Sequence, residues 1–594
     1  MFESIERGTA FIRERFDEGL SRLVPIATWW PSFITGIADN LGRLDPPTPR
    51  PEPAPLPAGF PSRVPVLPVR IQSFDGLRRA PAIWHAIPWT KQDVVAIAQW
   101  ATANGFLVRP RGKSHSWSPM QVAGPSARHA ILVDLRRMQT MRLAQDRRSG
   151  RFSAGLTIEQ ISRFLDRAGL ALPMCPAVGE VTLGGVLAVG GHGTGVTHDG
   201  RRGGTMGSLV RSLEVLCEDP NRPGTYRFEE VSREHEPSRL SALAVSLGSA
   251  FISEVTLGVE SSRVFSVRSG ARRMDQYFGA KRPGRARTPA TLSEELAGRC
   301  PNVELLWEPS QGDLRRPEAM QLVRRGWRPR THRSGDALQR EPYRDRLVNW
   351  AVHDTDDAVR RALRWAQPKA GRRARGERLQ GILRLSTRRP DKHLSQHAAQ
   401  LYSSRYILRF HAASWCCIVE RHAVGRMLTS AAKELAQLLQ RHGNCVDGPV
   451  EVRITDPDPP HVALSSARVP PGVDPASVVA VWFSVLATLD PTHAAGIVLH
   501  GLERWMIEVA PTAGLGVLGV RPEWSKGAAY DEKGRPWRAA DALAYYRRQY
   551  QAYPQHGLDD VFAVFDALDP SRRFRSPIAQ ILAGGSEDDA TSVS

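Results

Sequence analysis

Residues 109–120 read RPRGKSHSWSPM, and two readings of this stretch lead to different proteins. In the first, Gly112-Lys113-Ser114 closes a phosphate-cradling loop of the ATPase kind. Such a loop needs a second glycine five residues before the Gly of GK[ST], so that successive backbone N–H groups can wrap the phosphates. That position is Leu107, and Arg109 and Pro110 stiffen the approach. The ATP reading therefore fails on spacing. In the second reading His115, in a turn rich in Gly and Ser, is the reactive group.

The neighbouring sequence supplies a frame for that histidine. Thr90 with Asp93 forms a helix-start signal, Val94, Val95, Ala98 and Ala101 make one apolar face, and Asn104-Gly105 ends the helix. Residues 106–109 then predict a strand that delivers the chain into the His115 loop, a common place for chemistry. Further strands are predicted in AILVDL, ending at Leu135, and RFSAGLT, ending at Thr157, followed by a helix from Ile158 to about Ala168. Residues 182–195 read TLGGVLAVGGHGTG. The pairs Gly184-Gly185 and Gly190-Gly191 allow backbone to approach a ligand closely and turn N–H groups toward an anion. GHGTG lacks the G-x-G-x-x-G spacing of the dinucleotide-binding turn. The expectation is a pyrophosphate cradle of another design, with a tight structural turn as the alternative for any one pair.

Composition bounds the answer. The chain has 594 residues, 41% of them hydrophobic, enough for several cores or one elaborate two-domain enzyme. Its net charge of +19 comes from arginines scattered through a chain rich in Ala, Gly and Pro. No zinc-finger spacing, aromatic RNA-binding string or recognition-helix pattern accompanies it, so a solvated arginine surface is expected and no nucleic-acid partner. The six cysteines form no CxxC pair, so reduced thiols and no metal site are expected. The N-terminus lacks a basic segment followed by an apolar run, and no stretch of about 18 apolar residues occurs, so the expectation is a cytoplasmic protein without a transmembrane segment. Phe11, Ile12, Phe16, Leu20 and Leu23 recur at helical spacing, suited to packing or to peripheral membrane contact. Residues 44–69 are a proline-rich connector after which a domain should start.

Taken together, RGKSHSWSP, VDLRRM, LPMCPAVGEVTLGGVLAVGGHGTG and SLGSAFISEVTLGV resemble, in order and interval, the FAD domain of the vanillyl-alcohol-oxidase-type flavoproteins. The resemblance is nearest to the covalent-FAD bacterial cholesterol oxidases and runs from about residue 80 to 580. It implies an α+β protein: a linker region at 1–79, an FAD-binding domain at 80–262, an antiparallel-sheet substrate domain flanked by helices at 263–510, and a return to the FAD domain at 511–594. It implies that His115 is joined covalently to the flavin's 8α carbon. Arg111, Gly112, Lys113, Ser114 and Ser116 beside it, and Gly184, Gly185, Gly191, His192, Gly193, Thr194 and Gly195, would also contact FAD.

Glu451 and Arg453, in GPVEVRITDPD, stand two apart on a strand-like run and so face the same way. Such a pair is often a plain surface ion pair worth ~0–1 kcal/mol. The resemblance makes it instead a proton acceptor and its cationic partner at the substrate face of the flavin. It also places Glu304, in NVELLWEP, on the mobile active-site glutamate of the cholesterol oxidases in preference to Glu308. RPEWSKG would bring Trp524 and Lys526 back to the flavin, and DPSRRF, 569–574, resembles the usual ending. Ser484 departs from the pattern, standing where the cholesterol oxidases carry an active-site asparagine. The segment from Arg324 to Arg346 is more charged than a wall for a steroid.

These features imply a hydroxyl-oxidising enzyme with a sterol as first candidate and dioxygen as electron acceptor. A sugar-alcohol or lactone oxidoreductase is the enzymatic alternative. A basic binding protein for nucleic acid or an anionic surface, retaining only a flavin-domain shell, is the alternative of another class.

Overall fold

In the computed structural model residues 54–585 are described, apart from positions 70, 76–77, 79–81, 122–128, 198–202, 280–289, 308, 310–314, 316–319, 331–337, 340–392, 402–410, 444, 447 and 488–492. The helical stretch expected near the N-terminus lies outside the described residues. The chain builds a small mixed sheet, a five-stranded antiparallel sheet and a nine-stranded sheet, with helices against them.

The small sheet carries the strand that enters the His115 loop. Its order is Val66–Val69, Ile83–Ala86, Ala130–Val133, Leu107–Pro110, with the first pair antiparallel and the rest parallel. Val66–Val69 falls inside the stretch expected to be connector. Its residues pair through backbone groups with Ile83–Ala86, so this sheet begins before residue 80. The preceding helix, Lys91–Ala103, starts as its sequence indicates: Thr90 accepts from the Asp93 amide, and Asp93 accepts from the Thr90 amide. The helix Ile158–Arg167 begins with a second capping box on Thr157 and Gln160.

The nine-stranded sheet has the order Leu338–Gln339, His393–Ser395, Val264–Arg273, Gln321–Arg330, Asn302–Trp307, Val450–Thr455, Val478–Ala487, His411–Glu420, Val517–Pro522. One face packs on the helix Val424–His442, whose buried Val424, Met427, Leu428, Ala431 and Leu435 recur at helical spacing. Val452, Phe483 and Trp415 join that apolar core. Alternation then places their neighbours Glu451, Arg453 and Ser484 on the opposite face. The C-terminal return begins as the edge strand Val517–Pro522 of this sheet, so its start is shared with the substrate domain.

Glu503, on the helix His493–Arg504, ties the return to the sheet. Its fully buried carboxylate accepts from the Trp415 indole at 2.8 Å, the Ala529 amide at 2.7 Å, the Tyr530 amide at 2.8 Å and the Tyr546 hydroxyl. Burial raises its pKa, opposed by these four donors. Glu503→Ala strands all four donors inside the protein, and we expect a loss of roughly 3 kcal/mol of unfolding free energy, read from urea denaturation. A change within 0.5 kcal/mol would show that the hub contributes little.

Candidate functional site

The His115 loop forms because the strand Leu107–Pro110 runs parallel to Ala130–Val133 and then leaves it. The Arg111 amide makes the last bond, to Val133 O at 2.8 Å. Ser114 sits at φ 54°, a turn conformation, and its hydroxyl bonds Gln121. Beyond it the loop docks on the C-terminal return: the Trp117 amide donates to Ser525 O at 2.7 Å and the Ser118 hydroxyl to Trp524 O at 2.5 Å. The ending DPSRRF closes on the same region, since Val108 N–H and the Arg109 guanidinium both donate to Arg573 O.

A cavity opens over this loop. Arg111, Gly112, Lys113, Ser114, His115 and Ser116 form one wall, and Gly184, Gly185, Gly191 and His192 another. Arg453, Glu523 and Lys526 close it from the side of the large sheet. Ile71, Gln72, Ser73 and Arg78 also line it, although they fall in the region expected to be linker.

The glycine segment divides in two. Residues Leu183–Ala188 form a short helix on the cavity wall. Gly193, Thr194 and Gly195 do not line this cavity. A Cβ on Gly193 would stand 2.5 Å from Cys175 O, and Gly195 bonds Ile454 O through its amide and the Asp456 amide through its carbonyl. Gly195 thus fastens the FAD-side segment to the large sheet, while Gly193 packs on Cys175. Thr194 borders a separate recess beside Met174 and Gln400.

On the face of the large sheet opposite the helix Val424–His442, strand register assembles the polar residues. Glu304 lies opposite Arg453, Glu451 opposite Ser484, and Ser484 opposite Ser414. An Arg453 guanidinium nitrogen reaches Glu451 Oε1 at 2.5 Å and another comes within 3.5 Å of Glu304 Oε1. The Ser414 and Ser484 hydroxyls bond each other at 2.8 Å. Burial pushes the Glu451 carboxyl up to about 7, Arg453 opposes the shift, and Glu304 adds to it. Arg453 is the member of this group on the cavity wall, and it links Glu451 and Glu304 to it.

Across the cavity from the glycine wall, Glu523 faces Lys526 and His192. Burial opposes its ionisation, yet Lys526 and His192 outweigh that and hold the carboxyl well below its usual range. Burial lowers the Lys526 pKa, with Glu523 and Glu451 opposing. The Lys526 ammonium sits 3.6 Å above the Trp117 ring, a cation–π contact that suits a buried cation. His192 stacks on Trp482 at 3.6 Å and 10°, with Nε2 at 3.8 Å from Glu523 Oε1.

Trp524 does not reach the cavity. Its ring is buried against Trp537 and Tyr550 and its indole N–H donates to Leu464 O, so the side chain packs inward while its carbonyl holds the loop. Glu523, its neighbour in RPEWSKG, is the cavity residue that sequence reading passed over. Ser414 and Trp482 were also missed, because only strand pairing brings Ser414 beside Ser484 and only tertiary packing stacks Trp482 on His192. The charged middle segment is not a cavity wall where it is described. Arg324 lies opposite Leu305, away from Glu304, and pairs with buried Glu295 at 2.9 Å, while Arg328 and Arg330 are exposed. Residues 331–337 and 340–346 lie outside the described residues.

The cavity suits FAD on two observations. A Cβ on Gly112 would come within 2.3 Å of Thr182 Oγ1, so the His115 loop meets the start of the glycine segment as closely as backbone allows, and one on Gly191 would come within 2.6 Å of Val186 Cγ1, so the glycine segment itself folds tightly. The buried Arg111 Nε, on this wall, has no hydrogen-bond partner among the described residues, leaving a cationic donor for an anionic group such as a diphosphate. Among the described residues no cluster of His, Cys, Asp and Glu could hold a metal, and no helix is long and apolar enough to cross a membrane.

Comparison with known proteins agrees with this geometry. The family described as an FAD binding domain matches residues 85–220, and the family described as cholesterol oxidase, substrate-binding, matches residues 389–584. The D-arabinono-1,4-lactone oxidase of Eremothecium gossypii is 29% identical over 166 residues, 27% of this chain and 28% of that protein. A probable L-gulonolactone oxidase 6 of Arabidopsis thaliana is 24% identical over 231 residues, 39% of this chain and 36% of that protein. The alditol oxidase of a Streptomyces species is 27% identical over 144 residues, 23% of this chain and 31% of that protein. The matches thus span only about a third of these relatives. Among solved structures, a solvent-stable cholesterol oxidase superimposes with a TM-score of 0.76 at 26% identity, covering 89% of this chain and 99% of that one. The cholesterol oxidase of Brevibacterium sterolicum superimposes with the same TM-score at 22% identity, covering 89% and 99%. Residues 85–220 thus match an FAD-binding domain and residues 389–584 a cholesterol-oxidase-type substrate-binding domain, in a chain whose fold is similar to that of the cholesterol oxidases.

Proposed function

We propose that the protein is an FAD-dependent oxidase of a CH–OH group on a small molecule, with a sterol as the first candidate. The observation that carries this reading is the Glu304–Arg453–Glu451 cluster, set on the sheet face that closes the cavity opposite the His115 loop. Bound FAD would supply a two-electron acceptor for the carbinol hydride, pass the electrons to dioxygen and so yield hydrogen peroxide.

This chain's residues would do the rest. Glu451, raised toward neutrality by burial, is matched to take the hydroxyl proton near pH 7. Arg453 holds the carboxylate in place and offers a cation to oxygen-centred charge as it develops. Lys526 and Glu523 set the charge beside Arg453 on the same side of the cavity, and Arg111 with the Leu183–Ala188 segment would hold the diphosphate. His115 would bind the flavin covalently. An electron-withdrawing ring nitrogen on the 8α carbon raises the flavin's reduction potential and eases oxidation of substrate.

The sterol reading draws support from the second-domain family and from the cholesterol oxidases that share the fold. A polar substrate such as a sugar alcohol or lactone is the second reading. It is favoured by the Ser414–Ser484 pair, two short hydroxyls where an amide would fill more of the site, and by the lactone and alditol oxidases among the relatives.

The purified protein should be yellow, and anaerobic addition of sterols, aliphatic alcohols, polyols and lactones in turn should bleach the flavin band with one class. Failure of every hydroxyl compound and lactone to bleach it would contradict the oxidase reading. Glu451→Gln should slow flavin reduction by roughly 10²-fold or more while leaving FAD bound. Arg453→Lys should also be slow, because a point charge cannot reproduce the planar fork. Near-normal reduction in both variants would reduce the pair to a surface ion pair.

The pH dependence has a definite sign. The proton-accepting carboxylate is the populated form above its raised pKa of about 7, so reduction should speed up through that pH and level off above it. Glu304→Gln removes the carboxylate that adds to the shift, so the rise should move to lower pH, as stopped-flow reduction across pH would register. An unmoved profile would show that Glu304 does not act on Glu451.

A further inference from the structure

The segment Ser73–Asp75 lies where the sequence suggests only linker, yet it reaches the most reactive side chain of the site. The Phe74 amide donates to Ser116 O at 2.9 Å. Its ring, nearly buried, lies 4.1 Å from the His115 ring at 57° and 4.7 Å from Trp117 at 54°. With Trp117 and Ala412 it forms a small apolar cluster separate from the main core.

The next residue is fastened to two distant parts of the chain. Asp75 Oδ2 accepts from His411 Nδ1 at 2.8 Å, and His411 Nε2 bonds the Tyr530 hydroxyl at 2.6 Å. His411 and Tyr530 are both buried, at 3% and 1% exposure, so the chain Asp75–His411–Tyr530 is shielded from water. Ser73 adds a bond to Asp75, and its own amide accepts no slack, donating to Arg78 O at 2.9 Å. A buried polar chain of this kind adds little net stability over apolar residues of the same size. What it supplies is a fixed position.

We propose that Ser73–Asp75, anchored through His411 to Tyr530, is a clamp that sets the His115 ring for bond formation with the flavin, with Phe74 as the positioning residue. The proposal rests on the covalent reading of His115 given above. In the step it serves, a His115 ring nitrogen forms a bond to the 8α carbon as one C–H bond of that methyl breaks. The methyl and the imidazole N–H each lose a proton to solvent, and the two electrons of the C–H bond pass to the flavin ring. Dioxygen then takes up those two electrons and two protons as hydrogen peroxide. Attack requires the imidazole to be held in line with the methyl, and a ring free to rotate about its side-chain bonds would meet that geometry rarely. The Phe74 ring, tilted against the imidazole at 4.1 Å, and the bond from Phe74 to Ser116 restrict that freedom.

The test uses full-length protein produced under flavin depletion and then mixed with FAD. Samples stopped with trichloroacetic acid separate released flavin from flavin retained on the denatured chain, whose gel band fluoresces. The parent protein should retain its flavin. Phe74→Ala should take up FAD to the same stoichiometry and melt at nearly the parental temperature, but attach it roughly tenfold or more slowly, the scale expected for a misplaced reacting group. Phe74→Tyr should restore the parental rate. Tyr530→Phe deletes one hydroxyl from the far end of the chain and should slow attachment to a lesser degree, which keeps the test open if Phe74→Ala fails to fold. Parental attachment rates in both Phe74→Ala and Tyr530→Phe would overturn the clamp while leaving the covalent bond standing. Quantitative release of flavin from the parent protein would overturn the covalent reading and the clamp with it.

Discussion

Residues 523–527 are bonded on two sides at once, and the site depends on that joint. Toward the large sheet, the Gly527 amide donates to Ala412 O at 2.8 Å and the Glu523 amide to Ser414 O at 3.0 Å. Toward the FAD side, Ser525 O and Trp524 O accept from the His115 loop. A stretch of five residues thus fixes the distance between a loop on the small sheet and the polar face of the large one. Glu503 holds the residues that follow, Ala529 and Tyr530, by their amides. The cavity exists because this joint keeps the two faces apart and opposed.

On the large-sheet side of the cavity, the buried charges stand in clusters of opposite sign. Arg453 stands between Glu304 and Glu451, and Glu523 between Lys526 and His192. The two clusters nevertheless differ. Glu523 lies against the Lys526 ammonium and is held ionised, whereas Glu451 shares one guanidinium with a second carboxylate and is raised toward neutrality. Two glutamates on one site thus take opposite protonation behaviour from their surroundings, the usual basis for assigning a fixed charge and a proton acceptor.

Much of this was legible in the sequence, and the rest was not for definite reasons. The two-residue spacing of Glu451 and Arg453 placed them on one strand face, and the structure keeps them there, because alternation along a strand is a local property. Glu304 opposite Arg453 follows the family resemblance, since strand register between residues some 150 positions apart has no local signal. The choice of Trp524 failed because 523–526 is a turn, where alternation does not tell which side chain points inward. Gly193 and Gly195 look like Gly184 and Gly185 in sequence; only the contacts with Cys175 and Ile454 separate a structural fastening from a cavity wall. Prolines made residues up to 69 read as a spacer, and nothing local reveals that the segment just beyond runs along a cavity and that its next residue contacts His115.

The most direct test of the account is the position of FAD in a crystal structure of the flavin-loaded protein. We expect the diphosphate beside Arg111 and the Leu183–Ala188 segment, and the ring system spanning from His115 to the Arg453 and Lys526 side chains, with its substrate face toward Glu451. A flavin ring lying elsewhere, out of reach of Arg453 and Lys526, would contradict the assignment of the Glu304–Arg453–Glu451 cluster as the catalytic face.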